Sequence, residues 1–286
     1  MIRKMILVSA DLAQVEAKIE LMLAAGTPEF FGTDVGRECV RLAQAHPADF
    51  DIHRYSGSIT FDKSEADVTE SERQDGKSFM HGFMRGMGAQ TLCDQMLKRQ
   101  GVVITKETAE RRLGRLAARL PAIPEGYFPD VRRQIMRFFS LGTTYGGIWR
   151  CNYQRLEEPL YAKGYSYQPV RETQDLINQN GFLPLMNAIR MKRLTLPATQ
   201  GMERIPRIHV HGHDSLTMSV HPDDAYMVMA FLERVLGGVV RYYAAGALRV
   251  PLTFSLGETW KARFEMKRLP DKQTVREMAH ACAEAP

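Results

Sequence analysis

The chain is short of cysteine and has no long apolar run. Its four cysteines, Cys39, Cys93, Cys151 and Cys282, are far apart and form no CxxC pair, which argues against a zinc site and a disulfide framework. The apolar run MILV (5–8) ends too early for a signal-peptide core. No other run reaches the length of a transmembrane helix. We therefore expect a soluble protein of a reducing cytoplasm, without membrane association.

A large excess of one charge is also missing. Lys and Arg number 38 against 33 Asp and Glu, and the pI is about 9.0. This mild excess is compatible with nucleic acid, and also with many enzymes that never bind it. The 286 residues, 44% of them hydrophobic, suffice for one large or two modest cores.

Two aspartates stand beside predicted strands. HGHDSL (211–216) lies between two apolar stretches and predicts a β-hairpin with Asp214 at its tip. A buried strand over 5–10 and an amphipathic helix over 11–26 place Asp11 where strand becomes helix. Asp11 either caps that helix or faces open space at the strand end. If both strands share a sheet, the two carboxylates offer magnesium hard oxygen ligands in one cleft.

A basic helix follows the capping-box sequence TESE (69–72) and is predicted to continue to residue 97. Its basic residues recur every fourth position on one face: Arg73, Lys77, His81 and Arg85. Such a row favours an anion lying across it, such as a polyphosphate; the alternative is a solvated basic stripe. Three glycines in the helix, Gly76, Gly82 and Gly86, indicate close approach of a ligand or a helix that moves.

The rest of the chain reads mainly as helix. Helices are predicted over 106–120, 128–142, 168–194 with a break near Asn180, and 222–238; a turn is predicted between the first two, and a strand over 249–257. Trp149 and Trp260 are interpreted as packing residues. The basic tail after Trp260 is interpreted as a solvated end, with contact to DNA or a partner as the alternative.

Three motifs together resemble family A DNA polymerases. SADLAQVEAKIE (9–20) resembles motif A, DYSQIELR, with Asp11, Gln14, Glu16 and Lys18 in register. RQDGKSFMHGFMRG (73–86) is similar to motif B, and HVHGHDSL (209–216) to motif C. The segments DIH (51–53) and LGETW (256–260) also resemble family segments in the right order. The chain departs from the family at His81, Arg85 and Ser215, where an aromatic residue, a tyrosine and a glutamate are usual.

The resemblance implies an α+β fold, with an antiparallel palm sheet carrying helices and a helical fingers subdomain. The implied segments are palm over 1–30 and 166–260, with the motif C hairpin at 206–220; fingers over 31–165, with the motif B helix at about 70–99; and a tail over 261–286.

The resemblance also implies template-directed DNA synthesis from dNTPs on a primer-template. Two Mg²⁺ ions, with Mn²⁺ able to replace them, would be held by Asp11, Asp214 and the backbone carbonyl of Leu12. The triphosphate would be held by His53, Arg73 and Lys77, with Lys77 also protonating pyrophosphate. Glu16 would exclude a ribose 2′-hydroxyl. The remaining implied contacts are Gln14, His81 and Arg85 to the nucleotide, Gln179 or Asn180 to the minor groove, and His213 to the primer terminus.

Only ten residues precede Asp11, where family members carry a thumb and often an exonuclease. We therefore expect the catalytic half of a phage-type split polymerase, working in a bacterial cytoplasm with a second polypeptide that carries those parts. A truncated chain and a self-sufficient minimal polymerase are the alternatives of this kind. The HDS triplet (213–215) leaves open an RNA polymerase-like or primase-like nucleotidyltransferase, and a nonenzymatic DNA-binding subunit with a decayed site is the other alternative.

Overall fold

The computed structural model describes residues 5–144, 146–151, 154–191, 194, 196 and 206–284. The chain divides into two compact units. Unit 1 comprises Met1–Val15, Thr173–Arg241 and Arg249–Pro286, and unit 2 comprises Glu16–Glu172 and Tyr242–Leu248. Within the described ranges, none of the helices has the length and apolar character needed to cross a membrane.

Nine strands and eleven α-helices make up the described regular structure. The strands are β1 (Ile6–Leu12), β2 (Ser140–Gly142), β3 (Ile148–Arg150), β4 (Arg207–His211), β5 (Ser215–Val220), β6 (Val240–Tyr243), β7 (Gly246–Arg249), β8 (Leu252–Gly257) and β9 (Phe264–Met266). The helices are α1 (Val15–Ala25), α2 (Asp34–Gln44), α3 (Ile52–Phe61), α4 (Glu70–Met84), α5 (Ala89–Gln100), α6 (Lys106–Arg119), α7 (Phe128–Phe138), α8 (Glu158–Leu176), α9 (Leu183–Arg190), α10 (Ala225–Leu232) and α11 (Lys272–Ala283).

Unit 1 is built on a five-stranded antiparallel sheet with the order β4-β5-β1-β8-β9. The three central strands alternate buried and half-buried residues, as expected for a sheet with one face on the core. The buried face includes Val8, Leu216 and Phe254, and α10 and α11 pack in the same unit. The mixture of an antiparallel sheet with many helices confirms the α+β fold class.

Unit 2 is mainly helical, and α3 and α4 cross at close range. A Cβ added to Gly76 would lie 2.5 Å from the backbone nitrogen of Gly57, so the two helix backbones are nearly in contact. A Cβ added to Gly82 would lie 2.9 Å from a side-chain methyl of Leu92, and Gly86 adopts φ 63° just after the end of α4. These three glycines are therefore explained by helix packing and helix termination, and the suggestion that they admit a ligand or permit motion is not needed.

Several predicted boundaries were wrong. Asp11 belongs to β1 and does not cap α1, which begins four residues later, at Val15. The helix predicted to run to residue 97 ends at Met84, because Gly86 takes the left-handed conformation, and α5 begins at Ala89. The helix predicted over 128–142 ends at Phe138, because Phe139 is left-handed (φ 49°) and β2 follows.

Two segments that contain proline were also predicted wrongly. The turn predicted between α6 and α7 is a wide helical turn, Ala122–Tyr127, which leads directly into α7 because Pro129 lies in the first turn, where a missing N–H costs nothing. The helix predicted over 168–194 begins at Glu158 and contains Pro169 in its interior; it passes through a wide turn, Ile177–Phe182, near the expected break. Residues 192 and 193 of that prediction lie outside the described residues, as do residues 1–4.

The C-terminal tail is folded and is not a solvated end. Asp271 caps α11 by accepting hydrogen bonds from the backbone of Gln273 and Thr274. Val275 and Cys282 on this helix are fully buried. Trp260 was also misread, since it is 68% exposed, whereas Trp149 does pack, with its ring 5.5 Å from that of Tyr167.

Candidate active site

The two candidate metal-binding acids lie next to each other in unit 1. Asp11 pairs with Ser215 across β1 and β5, and the backbone N–H of Leu12 donates to the carbonyl of Asp214 at 2.8 Å. The turn is closed by a bond of 2.8 Å from the N–H of Gly212 to the carbonyl of Ser215. The expectation that both strands belong to one sheet is thus confirmed, with the strands as direct neighbours.

Hydroxyl side chains surround Asp11 on the half-buried face of the sheet. Ser215 and Thr253 are its cross-strand partners, and the next pair along, Ser9 and Thr217, is hydrogen-bonded at 2.9 Å. These residues were missed from the sequence, although the period-two alternation of Ser and Thr in β5 and β8 could have revealed them. The acids therefore sit at the end of a polar, uncharged sheet face.

The residues present fit magnesium that is completed by water and substrate. Among the described residues there is no group of three or more His, Cys, Asp or Glu that could hold a metal. Mg²⁺ usually keeps several waters and binds through one or two carboxylates plus substrate phosphates, so two neighbouring carboxylates are adequate. Asp214 is 35% exposed, and the ring of His213 lies 3.6 Å from its carboxylate.

The basic row on α4 lies in unit 2 and is largely paired with carboxylates. The capping box predicted for this helix is confirmed, with Thr69 and Glu72 bonded reciprocally. Arg73 donates through Nε to Asp51 at 2.7 Å and through Nη1 to Glu70 at 3.0 Å. Lys77 makes no ion pair with any described residue. Carboxylates of the protein itself therefore balance two of the row's cations, Arg73 and Arg85, which the sequence did not predict.

Asp51 was missed as a site residue, although it opens the DIH segment. Its carboxylate caps α3 by accepting the backbone N–H of His53 at 2.9 Å, and it also holds Arg73. Burial opposes ionisation of Asp51, but the hydrogen bond and charge of Arg73 outweigh it and lower the pKa. Asp51 therefore joins the start of α3 to the first turns of α4.

Both histidines near the row are held neutral. Burial, reinforced by His81 and Lys77, lowers the pKa of His53 to about 3. Burial, reinforced by Arg85, lowers the pKa of His81 to about 4, although Glu16 opposes the change. The two rings lie 5.6 Å apart. At neutral pH the row thus carries three cations, not four.

The carboxylate of Glu16, in the first turn of α1, closes the far end of the row. Its Oε2 lies 3.2 Å from Nη2 of Arg85 and 4.0 Å from Nδ1 of His81. The side chain is only 14% exposed. One turn further along α1, the buried Glu20 was not recognised from the sequence.

Comparisons with known proteins bear on the fold alone. No protein-family model matches the sequence, and no curated protein matches it. Among solved structures, the chain is similar to the POL domain of Pol1 from M. smegmatis, in complex with DNA primer-template and dNTP, with a TM-score of 0.67 and 19% identity. The fold resembles that of a family A polymerase domain. The match covers 91% of this chain but 41% of the other, so this chain spans less than half the length of the matched one.

The remaining predicted site residues lie at helix ends and in turns. Gln179 is exposed in the wide turn after α8, whereas Asn180 accepts a hydrogen bond from Arg241 at 2.8 Å. Gln14, between β1 and α1, has φ 57°, a conformation that costs a residue with a Cβ about 1 kcal/mol. This rare backbone conformation, between the strand of Asp11 and α1, motivates a functional role for Gln14.

Proposed function

We propose that the chain catalyses template-directed DNA synthesis, transferring deoxynucleotides from dNTPs to a primer 3′-hydroxyl. The observation that carries the proposal is the strand register that brings Asp11 beside the Asp214 turn. A polymerase-like fold supports it, because the similar POL domain was bound to DNA primer-template and dNTP.

In this proposal Asp11, Asp214 and the carbonyl of Leu12 hold two magnesium ions, and manganese can replace them. Bound magnesium would supply charge stabilisation at the transferring phosphate and a more acidic primer hydroxyl. The cross-strand neighbours on this sheet face carry uncharged hydroxyl groups, so they neither repel a metal ion nor compete with the acids for it. They are Ser9, Ser215, Thr217 and Thr253.

Lys77 and Arg73 bind the triphosphate in the proposed reaction, and Lys77 gives a proton to the departing pyrophosphate. Lys77 suits this role because no described carboxylate balances its charge. Arg73 keeps further N–H donors for phosphate after engaging Asp51 and Glu70, since a guanidinium has about five. His53 is neutral, and it contributes a hydrogen bond and not a charge.

Sugar, base and primer contacts complete the proposal. Glu16 excludes a ribose 2′-hydroxyl, with Gln14, His81 and Arg85 around the nucleotide. Gln179 reads the minor groove in preference to Asn180, because Asn180 is occupied by Arg241. His213 touches the primer terminus. Of the two turn residues, it is the more exposed, at 45% against 35% for Asp214.

We further propose that a second polypeptide of a phage-type replication system supplies the thumb and exonuclease. The share of the matched chain that is covered, 41%, leaves room for such parts. Primer extension by the isolated chain, compared with the chain plus an extract of its source, tests this arrangement. Full processive extension without extract contradicts it.

The catalytic proposal is tested by primer extension with magnesium and four dNTPs. Asp214→Asn is expected to lower incorporation by about a thousandfold, because several kcal/mol of charge stabilisation at the phosphate is lost. Asp34→Asn, at a residue whose side chain is 95% exposed, is the matched control and should behave as the parent. Retained incorporation by Asp214→Asn overturns the mechanism, and DNA binding without any incorporation by the parent favours the nonenzymatic alternative.

A further inference from the structure

The carboxylate of Glu16 is paired with the guanidinium of Arg85. The Nη2 atom of Arg85 donates to its Oε2 at 3.2 Å, whereas His81 stands further away at 4.0 Å. His81 cannot replace Arg85 as a counter-ion at neutral pH, because burial followed by the charge of Arg85 lowers the pKa of its ring to about 4. The ion pair is half-buried, with 14% of the Glu16 side chain and 32% of the Arg85 side chain exposed.

A second acid, Glu20, lies one turn further along α1 than Glu16. Glu20 is 3% exposed, and its Oε1 is buried without a hydrogen-bond partner in the described part of the chain. Burial raises the pKa of Glu20 well above its ordinary value; Arg85 opposes this change and Glu16 reinforces it. The protonated carboxyl is thus favoured. Burial therefore weakens the competition of Glu20 with Glu16 for Arg85.

Arg85 itself is fixed by the end of its helix. It is the C-terminal cap of α4, and its N–H donates to the carbonyl of His81 at 3.2 Å. The next residue, Gly86, adopts φ 63°, and an added Cβ there would lie 2.9 Å from the ring of Tyr165. A cation at a helix C-terminus is also favoured by the helix dipole. The guanidinium therefore starts from an anchored backbone.

We propose that Arg85 is a positioning residue for sugar selection, holding the Glu16 carboxylate in the single orientation that rejects ribonucleotides. This inference rests on the proposed function and deepens it, because it names the group that makes Glu16 selective. A carboxylate that accepts a hydrogen bond from a half-buried guanidinium is restricted to one direction. Without this contact, the Glu16 carboxylate is less restricted in its rotamers, and a ribose hydroxyl is tolerated more often.

The test is the ratio of kcat/KM for a dNTP to that for the matching rNTP in primer extension. Arg85→Met is expected to lower this ratio about tenfold, which corresponds to about 1.4 kcal/mol of coupling. In the Glu16→Gln background the same change should lower it no further. Arg85→Lys should restore part of the loss, and Glu20→Gln should leave the ratio within about twofold, because burial favours the neutral form of Glu20.

Each outcome decides the inference. A merely structural Arg85 would lower incorporation of both sugars together, so an unchanged ratio overturns the proposal even if Arg85→Met folds poorly. Additive effects of the Glu16 and Arg85 changes overturn it as well, as does a large effect of Glu20→Gln. Arg37→Met, at a residue 65% exposed on α2, is the matched control. No incorporation by the parent chain would remove the proposed function, and this inference with it.

Discussion

Lys18 provides the sharpest test of the electrostatics inside unit 2. The side chain is 1% exposed, and its ammonium donates to the carbonyls of Ala43, at 2.8 Å, and Ala45, at the C-terminal end of α2. Carbonyls at a helix C-terminus favour a cation. Removal from water nevertheless dominates, and burial lowers the pKa of Lys18 from 10.5 to about 8.

The sign of the pH effect follows from where the proton is lost. The unfolded chain keeps the Lys18 proton up to about pH 10.5, whereas the folded chain releases it near pH 8. Between these values the unfolded state binds more protons, so stability rises with pH. Each pH unit in that window is worth about 1.4 kcal/mol, so the whole window is worth about 3 kcal/mol. From pH 7.5 to pH 10 the gain is about 2 kcal/mol.

The assay is urea unfolding of the parent and of Lys18→Met at pH 7.5 and pH 10. The free energy of unfolding of the parent minus that of the variant should become more favourable to the parent by about 2 kcal/mol at the higher pH. Taking this difference cancels the contributions of other groups to the pH dependence, such as those of Tyr127 and Cys39, whose pKa values are raised by burial. The cancellation requires that these groups act independently of Lys18. A difference that does not change with pH refutes the assignment of a depressed pKa to Lys18.

Two further predictions concern α4. Gly76→Ala should destabilise the chain by about 3 kcal/mol, since the new Cβ meets the backbone of Gly57 at 2.5 Å. The control Gly114→Ala should be neutral or stabilising, because nothing lies within 4 Å of its new Cβ. Equal urea midpoints for the two variants would contradict the close crossing of α3 and α4. Thr69→Ala should cost about 1 kcal/mol through loss of the capping box, whereas Thr69→Ser should keep most of it, and a thermal midpoint unchanged in Thr69→Ala would count against that cap.

Local patterns predicted the elements that hold the candidate acids. Alternating apolar residues around HGHDSL indicated the hairpin, and the strand before Asp11 was found in the same way. The capping box at Thr69 is equally local, because its partners are three residues apart. What failed was the point at which each element ends. Left-handed residues such as Gln14, Gly86 and Phe139 stop or redirect the chain, and only glycine announces such a conformation in a sequence.

Pairings between distant residues could not be predicted, and they changed the interpretation of the basic row. Asp51 and Arg73 are 22 residues apart, and Glu16 and Arg85 are 69 apart. Helical spacing puts cations on one face but says nothing about the acids that other elements bring to them. Likewise, Glu20 is buried by the elements that pack against α1, whereas its position in the sequence looks like any polar position of a helix.

The three cations of α4 therefore have different chemical capacities. Arg85 is paired with Glu16, and in our proposal its charge orients that carboxylate. Arg73 donates to Asp51 and Glu70, and its other N–H groups are the ones that our proposal assigns to phosphate. Lys77 lies between them without an ion pair to any described residue, and a compact ammonium with three rotatable donors both binds phosphate and loses a proton more readily than a guanidinium does. Under the proposed function, a row that looks uniform in the sequence divides its work: Lys77 serves acid catalysis, Arg73 phosphate binding and Arg85 positioning.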